Sequence, residues 1–215
     1  MFAGHYTTAF LAKAASPRIP LWVLLLAAQF VDVFWGLFIL TGIEHARLDP
    51  SLPSNPLVLY HMPLTHSLAG TFVWAGVAFA LSRTVLRLST TNALLVAAVV
   101  VSHWILDLVV HRPDLTIAGG PFALGFALWN QPLVAYALEI VLIASSIGVA
   151  IAFATRTSAQ RKPWIWLGLG LVVLQTATSF GPLPPSLTAM VASTLPIYLL
   201  IAAAGARVES AARNA

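Results

Sequence analysis

The sequence contains no cysteine, which excludes disulfides, thiolate metal sites and cysteine nucleophiles. Charge is nearly as scarce. Only 8% of the 215 residues are charged, against about 25% in an ordinary soluble domain, so a soluble globular protein is excluded. Missing too is the apolar-polar alternation of a barrel strand. Backbone groups in lipid are satisfied either within helices or around a closed sheet, and continuous apolar runs exclude the second solution. No fixed-period repeat, low-complexity tract or long linker divides the chain, and it reads as a single domain over residues 1–215.

What is present is hydrocarbon. Hydrophobic residues make up 59% of the chain and the mean hydropathy is +0.88. A transmembrane helix needs about 20 apolar residues. Stretches of that kind run from Pro20 to Ile43, Pro63 to Leu81, Thr91 to Val110, Pro132 to Ala154, Trp164 to Ser179 and Leu187 to Gly205, bounded by Pro, Gly or charged residues. The predicted fold is all-α: a polytopic integral membrane helical bundle of about six long transmembrane helices plus a short N-terminal membrane helix.

The net charge of +4 invites a nucleic-acid reading, but the eleven Lys and Arg are scattered through short connections, with no basic stripe. Their pattern speaks of topology instead, and no nucleic-acid partner is expected. With the turn before the first long span inside, Lys13, Arg18, Arg83, Arg87, Arg156, Arg161, Lys162, Arg207 and Arg213 are cytoplasmic, leaving Arg47 and Arg112 outside. By the positive-inside rule this predicts a multi-pass protein of the inner or plasma membrane with a cytoplasmic C-terminus. The segments Glu44 to Met62 and His111 to Gln131 then face the extracytoplasmic side and are the expected functional loops. Phe2 to Ala15 is apolar, yet its positive charges, Lys13 and Arg18, follow the apolar stretch, the reverse of a signal peptide. It is expected to be retained as a helix of roughly 20 Å, too short to span.

Ionisable residues inside apolar spans cost about 2.5–3.5 kcal/mol each on insertion scales and mark functional sites when partners can be named. Here they are His5, Asp32, His66, His103, Asp107 and Glu139. Helical rise fixes their depths. His5, Asp32 and His103 each lie about 11–12 residues above the cytoplasmic end of their segment, roughly 16–18 Å. Asp107 is one turn above His103 on the same face, and His66 and Glu139 stand about 17 residues, or roughly 25 Å, above theirs. Imidazoles and carboxylates without thiolates suit zinc, with manganese or magnesium as alternatives. An enclosed cation would also offset the cost of burying Asp32 and Asp107. Each residue has a plainer reading as an interhelical hydrogen-bonding group, and Glu139 as a cap on the layer or a partner of Arg112. His45, Asp49, His61 and Asp114 read as solvated loop residues. His111 continues the face of His103.

These residues also carry a resemblance. Gly4-His5, Gln29-Phe30-Val31-Asp32, the run His61-Met62-Pro63-Leu64-Thr65-His66-Ser67 and the run Ser102-His103-Trp104-Ile105-Leu106-Asp107 resemble, in order and spacing, the YdjM-like membrane-bound metal-dependent hydrolases. The resemblance covers residues 1–131 and leaves 132–215 as additional transmembrane helices. The metal-ligand order is also similar to that of the zinc-dependent phospholipase C and P1-nuclease group. Carried over, the resemblance implies one ion on Asp32, His66, His103 and Asp107, and a contribution of His5 with Asp107 to another. The chain departs from the family where Phe34 replaces a second acid and where Met62-Pro63 replaces Arg-Gly.

The function this implies is metal-assisted hydrolysis of an ester or phosphoester in a lipid-linked or amphipathic substrate, drawn from membrane lipid. Arg112 is expected to hold a phosphate at the mouth, and His111 or Asp114 to relay protons. The rival expectation is a non-catalytic membrane subunit of a larger assembly, whose His/Asp cluster is structural or binds a metal or a pigment such as a haem or chlorin. A transporter is disfavoured by the missing inverted repeat.

Overall fold

The computed structural model describes residues 1–120 and 122–214, and of Arg213 only the backbone. The Arg213 side chain, counted above among the inside charges, therefore lies outside the described residues. A tight 3-10 turn at Ala3–His5 leads into α1 (Tyr6–Ala15), followed by α2 (Leu21–Ala28), α3 (Phe30–Thr41), α4 (Leu68–Thr84), α5 (Thr90–Val110), α6 (Pro132–Ala154), α7 (Ser158–Phe180) and α8 (Leu187–Arg213). The two long connections are not plain loops. Each holds a small antiparallel hairpin: β1 (His45–Leu48) with β2 (Leu57–His61), and β3 (Leu115–Thr116) with β4 (Ala123–Leu124).

The helical reading holds, but the expected count of six long spans does not. Among the described residues four helices are long and apolar enough to cross a membrane: α5, α6, α7 and α8 over Leu187–Ala212. The expected Pro20 to Ile43 span is broken between α2 and α3 by a bend of 51°, and counts as a fifth crossing only if the bent pair is one span. The cause is local. Gln29 leaves helical geometry (φ −110°, ψ 12°), its side-chain amide donates to the Phe2 carbonyl at 3.0 Å, and the Ala28 carbonyl accepts a hydrogen bond from His103 Nδ1 at 2.8 Å. The His103 side chain thus takes over a backbone carbonyl at the joint, a recognised origin of sharp kinks.

The Pro63 to Leu81 stretch starts late. Its helix begins at Leu68 and has 17 residues, about 25 Å long against roughly 30 Å of hydrocarbon. Ser67 caps it, accepting from the Gly70 amide at 3.0 Å while donating to the Pro63 carbonyl at 2.7 Å. Upstream, Glu44 holds the Leu64 and Thr65 amides. The residues before Leu68 are therefore tied into non-helical backbone.

The short N-terminal helix is present and forms the interior of the bundle. Tyr6, Ala9 and Phe10 are wholly enclosed, packed with residues of α2, α5, α6 and α7. Its far end is clamped. Buried Lys13 donates to the Pro17 and Ile19 carbonyls at 2.7 Å each and pairs with Glu209 of α8, while Glu209 also accepts from the Leu21 amide at 2.7 Å. Small residues let the outer helices close in. A Cβ on Gly205 would lie 2.4 Å from Leu25 Cδ1, and one on Gly168 would lie 2.8 Å from Ile147 Cδ1. These glycines thus serve contacts within the chain.

The bundle is apolar outside as well as inside. Of the span windows, 44% of that in α5 is buried, against 22% in α7 and in α8, which makes α5 the most enclosed of the four long helices. Trp166, Val173, Leu199 and Leu200 are exposed on α7 and α8. Such extensive exposed hydrocarbon is compatible with lipid rather than water as the surrounding medium.

Candidate metal centre

Four segments converge near the ends of the 3-10 turn and α5. His5 closes the 3-10 turn. Asp32 lies in the first turn of α3, just past the break. His66 projects from the non-helical backbone ahead of α4, held by the bond from the Thr116 amide to the His66 carbonyl at 3.4 Å. His103 and Asp107 sit one turn apart on α5, and His111 ends that helix with extended backbone (φ −62°, ψ 145°). His5, His66, His103, Asp107 and His111 are all buried, none more than 5% exposed.

Asp107 is the hub. Its Oδ1 lies 3.1 Å from His5 Nε2, 3.4 Å from His111 Nε2 and 2.6 Å from the Met1 amino nitrogen, and its Oδ2 lies 3.2 Å from His103 Nε2 and 3.8 Å from His66 Nε2. Asp32 Oδ1 lies 3.4 Å from His103 Nε2 and 3.5 Å from His66 Nε2, and the Tyr198 hydroxyl donates to its other oxygen at 3.1 Å. The His5 and His103 rings are stacked, 3.8 Å between centroids. Two groups result, each with ligand atoms within 4.8 Å of one another: His5, Asp32 and His103, and His66, Asp107 and His111.

The outer nitrogens are as informative as the inner ones. His103 Nδ1 faces the Ala28 carbonyl at 2.8 Å, His111 Nδ1 faces Asp114 Oδ1 at 2.9 Å, and His66 Nδ1 faces the Thr65 hydroxyl at 3.0 Å. A carbonyl and a carboxylate only accept, so His103 and His111 carry a proton on Nδ1 and turn Nε2 towards the carboxylates. Outer partners of this kind orient metal-ligating histidines. Both nitrogens of His5 and Nε2 of His103 are buried without a hydrogen-bond partner, an arrangement native proteins avoid unless something else satisfies the atom. A divalent cation would satisfy Nε2 of His103 and one nitrogen of His5 and would balance Asp32 and Asp107, so the residues fit a metal ion.

The expected residues sort accordingly. His5, Asp32, His66, His103 and Asp107 come together. Glu139 stands outside both groups: its Oε2 accepts from the Phe2 and Gly4 amides at 3.0 Å each, capping the first turn of the chain. His111, expected as a proton relay, is instead in position to be a ligand, with Asp114 as its orienting partner. Arg112 is turned to the loops, donating to Asn130 Oδ1 at 2.9 Å and the Asn55 carbonyl at 3.0 Å and lying over Trp129. His45 and His61 are exposed on the first hairpin, as expected of solvated residues. Glu44, Thr65 and Tyr198 were missed. Thr65 adjoins His66 in the quoted run, but nothing in the apolar sequence of α8 singles out Tyr198.

A cavity of about 430 Å³ opens over the cluster. Its lining includes Asp32, His66, Asp107 and His111 and also the apolar side chains of Trp35, Leu174, Met190 and Ile197. Two of the lining hydroxyls are engaged with backbone: Thr194 donates to the Met190 carbonyl at 2.7 Å and Thr178 to the Gln175 carbonyl at 3.0 Å. Compared with known protein families, with curated proteins and with solved structures, the chain matches none of them.

Proposed function

We propose that the chain is an integral membrane metal-dependent hydrolase that holds two divalent cations and cleaves an ester or phosphoester in a lipid-linked or amphipathic substrate. The observation that carries this reading is the inward turn of Nε2 in His103 and His111, with His5 and His66 beside them, onto Asp32 and Asp107. Four imidazoles with two carboxylates favour zinc over magnesium, which prefers oxygen ligands.

Bound there, the ions would supply an acidified water and polarise the substrate oxygen. The chain's own part is to bind and orient. Asp107 bridges the two groups, Asp114 and the Ala28 carbonyl hold the His111 and His103 rings, and Tyr198 fixes Asp32. The cavity supports an amphiphile, since its lining combines ionisable and apolar side chains, and its volume falls within the roughly 300–1,000 Å³ of small-molecule sites. The positive-inside bias supports placing the site towards the extracytoplasmic leaflet, where membrane lipid would supply the substrate.

Purified protein assayed for bound metal, and incubated with p-nitrophenyl phosphoesters and short-chain phospholipids with and without chelator, tests the reading. Two zinc ions per chain and chelator-sensitive turnover are expected. Protein that takes up no divalent metal overturns the metal centre, and metal-loaded protein without chelator-sensitive turnover overturns the hydrolase.

A further inference from the structure

Glu44 is a buried carboxylate that the proposed chemistry does not use. It follows Gly42, whose left-handed backbone (φ 72°) ends α3, and its amide donates to the Phe38 carbonyl at 3.2 Å. Its side chain reaches the bent segment before α4. Oε1 accepts from the Leu64 amide at 2.8 Å and from the Thr65 amide at 2.9 Å, and Oε2 accepts from the Thr65 hydroxyl. The same hydroxyl oxygen stands 3.0 Å from His66 Nδ1.

A threonine hydroxyl has one proton to give. A carboxylate can only accept it, so the Thr65 proton goes to Glu44, and the Thr65 oxygen is left to accept from His66. That places the imidazole proton on Nδ1. Nε2, the nitrogen facing Asp32 and Asp107 at 3.5 and 3.8 Å, keeps its lone pair. We infer that Glu44 and Thr65 are positioning residues: through the chain Glu44, Thr65, His66 they fix the tautomer in which His66 presents Nε2 as a metal ligand.

The inference rests on the metal-centre reading for its purpose but not for its test. A role limited to holding the turn would need only the two backbone amides. The hydroxyl link predicts something more, because its direction can be reversed. In Glu44→Gln the amide oxygen stays with the two backbone donors, and the NH2 group faces the Thr65 hydroxyl. That hydroxyl then donates to His66 Nδ1, and the ring proton moves to Nε2.

The test uses the full chain, labelled with 15N-histidine and chelator-treated. The His66 signals are assigned by their loss in His66→Gln, the tautomer is read from one-bond and two-bond 15N–1H couplings, and zinc affinity is measured by competition with a chromophoric chelator. Wild type and Thr65→Ser are expected to carry the proton on Nδ1 and to bind zinc alike. Glu44→Gln is expected to carry it on Nε2 and to bind zinc about 10–100-fold more weakly, the usual effect of losing such an outer partner. Thr65→Val is expected to show mixed tautomers and a similar loss. Wild type with the proton on Nε2, or Glu44→Gln with it unmoved on Nδ1, overturns the inference. Should Glu44→Gln not fold, Thr65→Val decides, and a tautomer identical to wild type overturns it. Wild type that shows the expected tautomer but takes up no zinc overturns the metal centre alone.

Discussion

His103 Nδ1 lies 2.8 Å from the Ala28 carbonyl at the break between α2 and α3. The joint that spoils a long span therefore also aims a candidate ligand. His103→Asn removes both a ligand nitrogen and the partner of that carbonyl, and leaving a buried acceptor unsatisfied costs about 1–3 kcal/mol. The expected outcome is loss of at least one of two zinc ions per chain, read by elemental analysis, with a lower melting temperature.

Asp107 and Asp114 should separate by what they touch. Asp107 contacts His5, His66, His103 and His111, so Asp107→Asn is expected to release both ions. Asp114 reaches only His111 among them, at 2.9 Å. Asp114→Asn is therefore expected to weaken one ion by about 10–100-fold and spare the other. Zinc titration of the two variants checks this through the number and affinity of the binding steps.

Lys13 and Glu209 should matter for stability alone. Their side chains are 5% and 12% exposed, and removing one partner of a buried pair costs about 3–5 kcal/mol. Lys13→Met is expected to be strongly destabilised. Lys13→Met/Glu209→Gln should recover part of the loss, because the Gln carbonyl still accepts from the Leu21 amide while the Pro17 and Ile19 carbonyls stay without the Lys13 donor. Thermal unfolding measures both, and the folded double variant is expected to keep the wild-type zinc content.

Gly125 backs the histidine at the end of α5. It has φ +156°, and a Cβ there would lie 2.3 Å from the Arg112 carbonyl oxygen and 2.4 Å from that of His111. Those are backbone atoms, so the backbone packed at the end of α5 must shift. Gly125→Ala is expected to lower the melting temperature and to weaken the ion of the His66, Asp107 and His111 group, while the His5, Asp32 and His103 group keeps its ion. Zinc titration alongside thermal unfolding checks it.

Much of the centre was legible because helical rise is a constant of the backbone. Counting residues put His5, Asp32 and His103 at one height, and they meet: two rings stack and Asp32 lies 3.4 Å from His103. The i, i+4 spacing likewise put Asp107 on the face of His103, where the two are 3.2 Å apart. Counting failed where the backbone is not helical. His66 reaches the cluster from the bends before α4 rather than from the turn of a span, and His111 does so because α5 ends at Val110.

Composition and periodicity alone determined that this is a helical chain suited to lipid, with a short N-terminal helix and ligand-type side chains at matched depths, because hydrophobicity and rise per residue are local properties. Tertiary contacts decided the rest. The break at Gln29, the late start of α4, the turn of Glu139 away to the first amides and the joining of Glu44 to His66 through Thr65 all depend on hydrogen bonds between residues distant in sequence. No local pattern encodes such bonds, since each partner is chosen by which buried donor or acceptor folding leaves within reach.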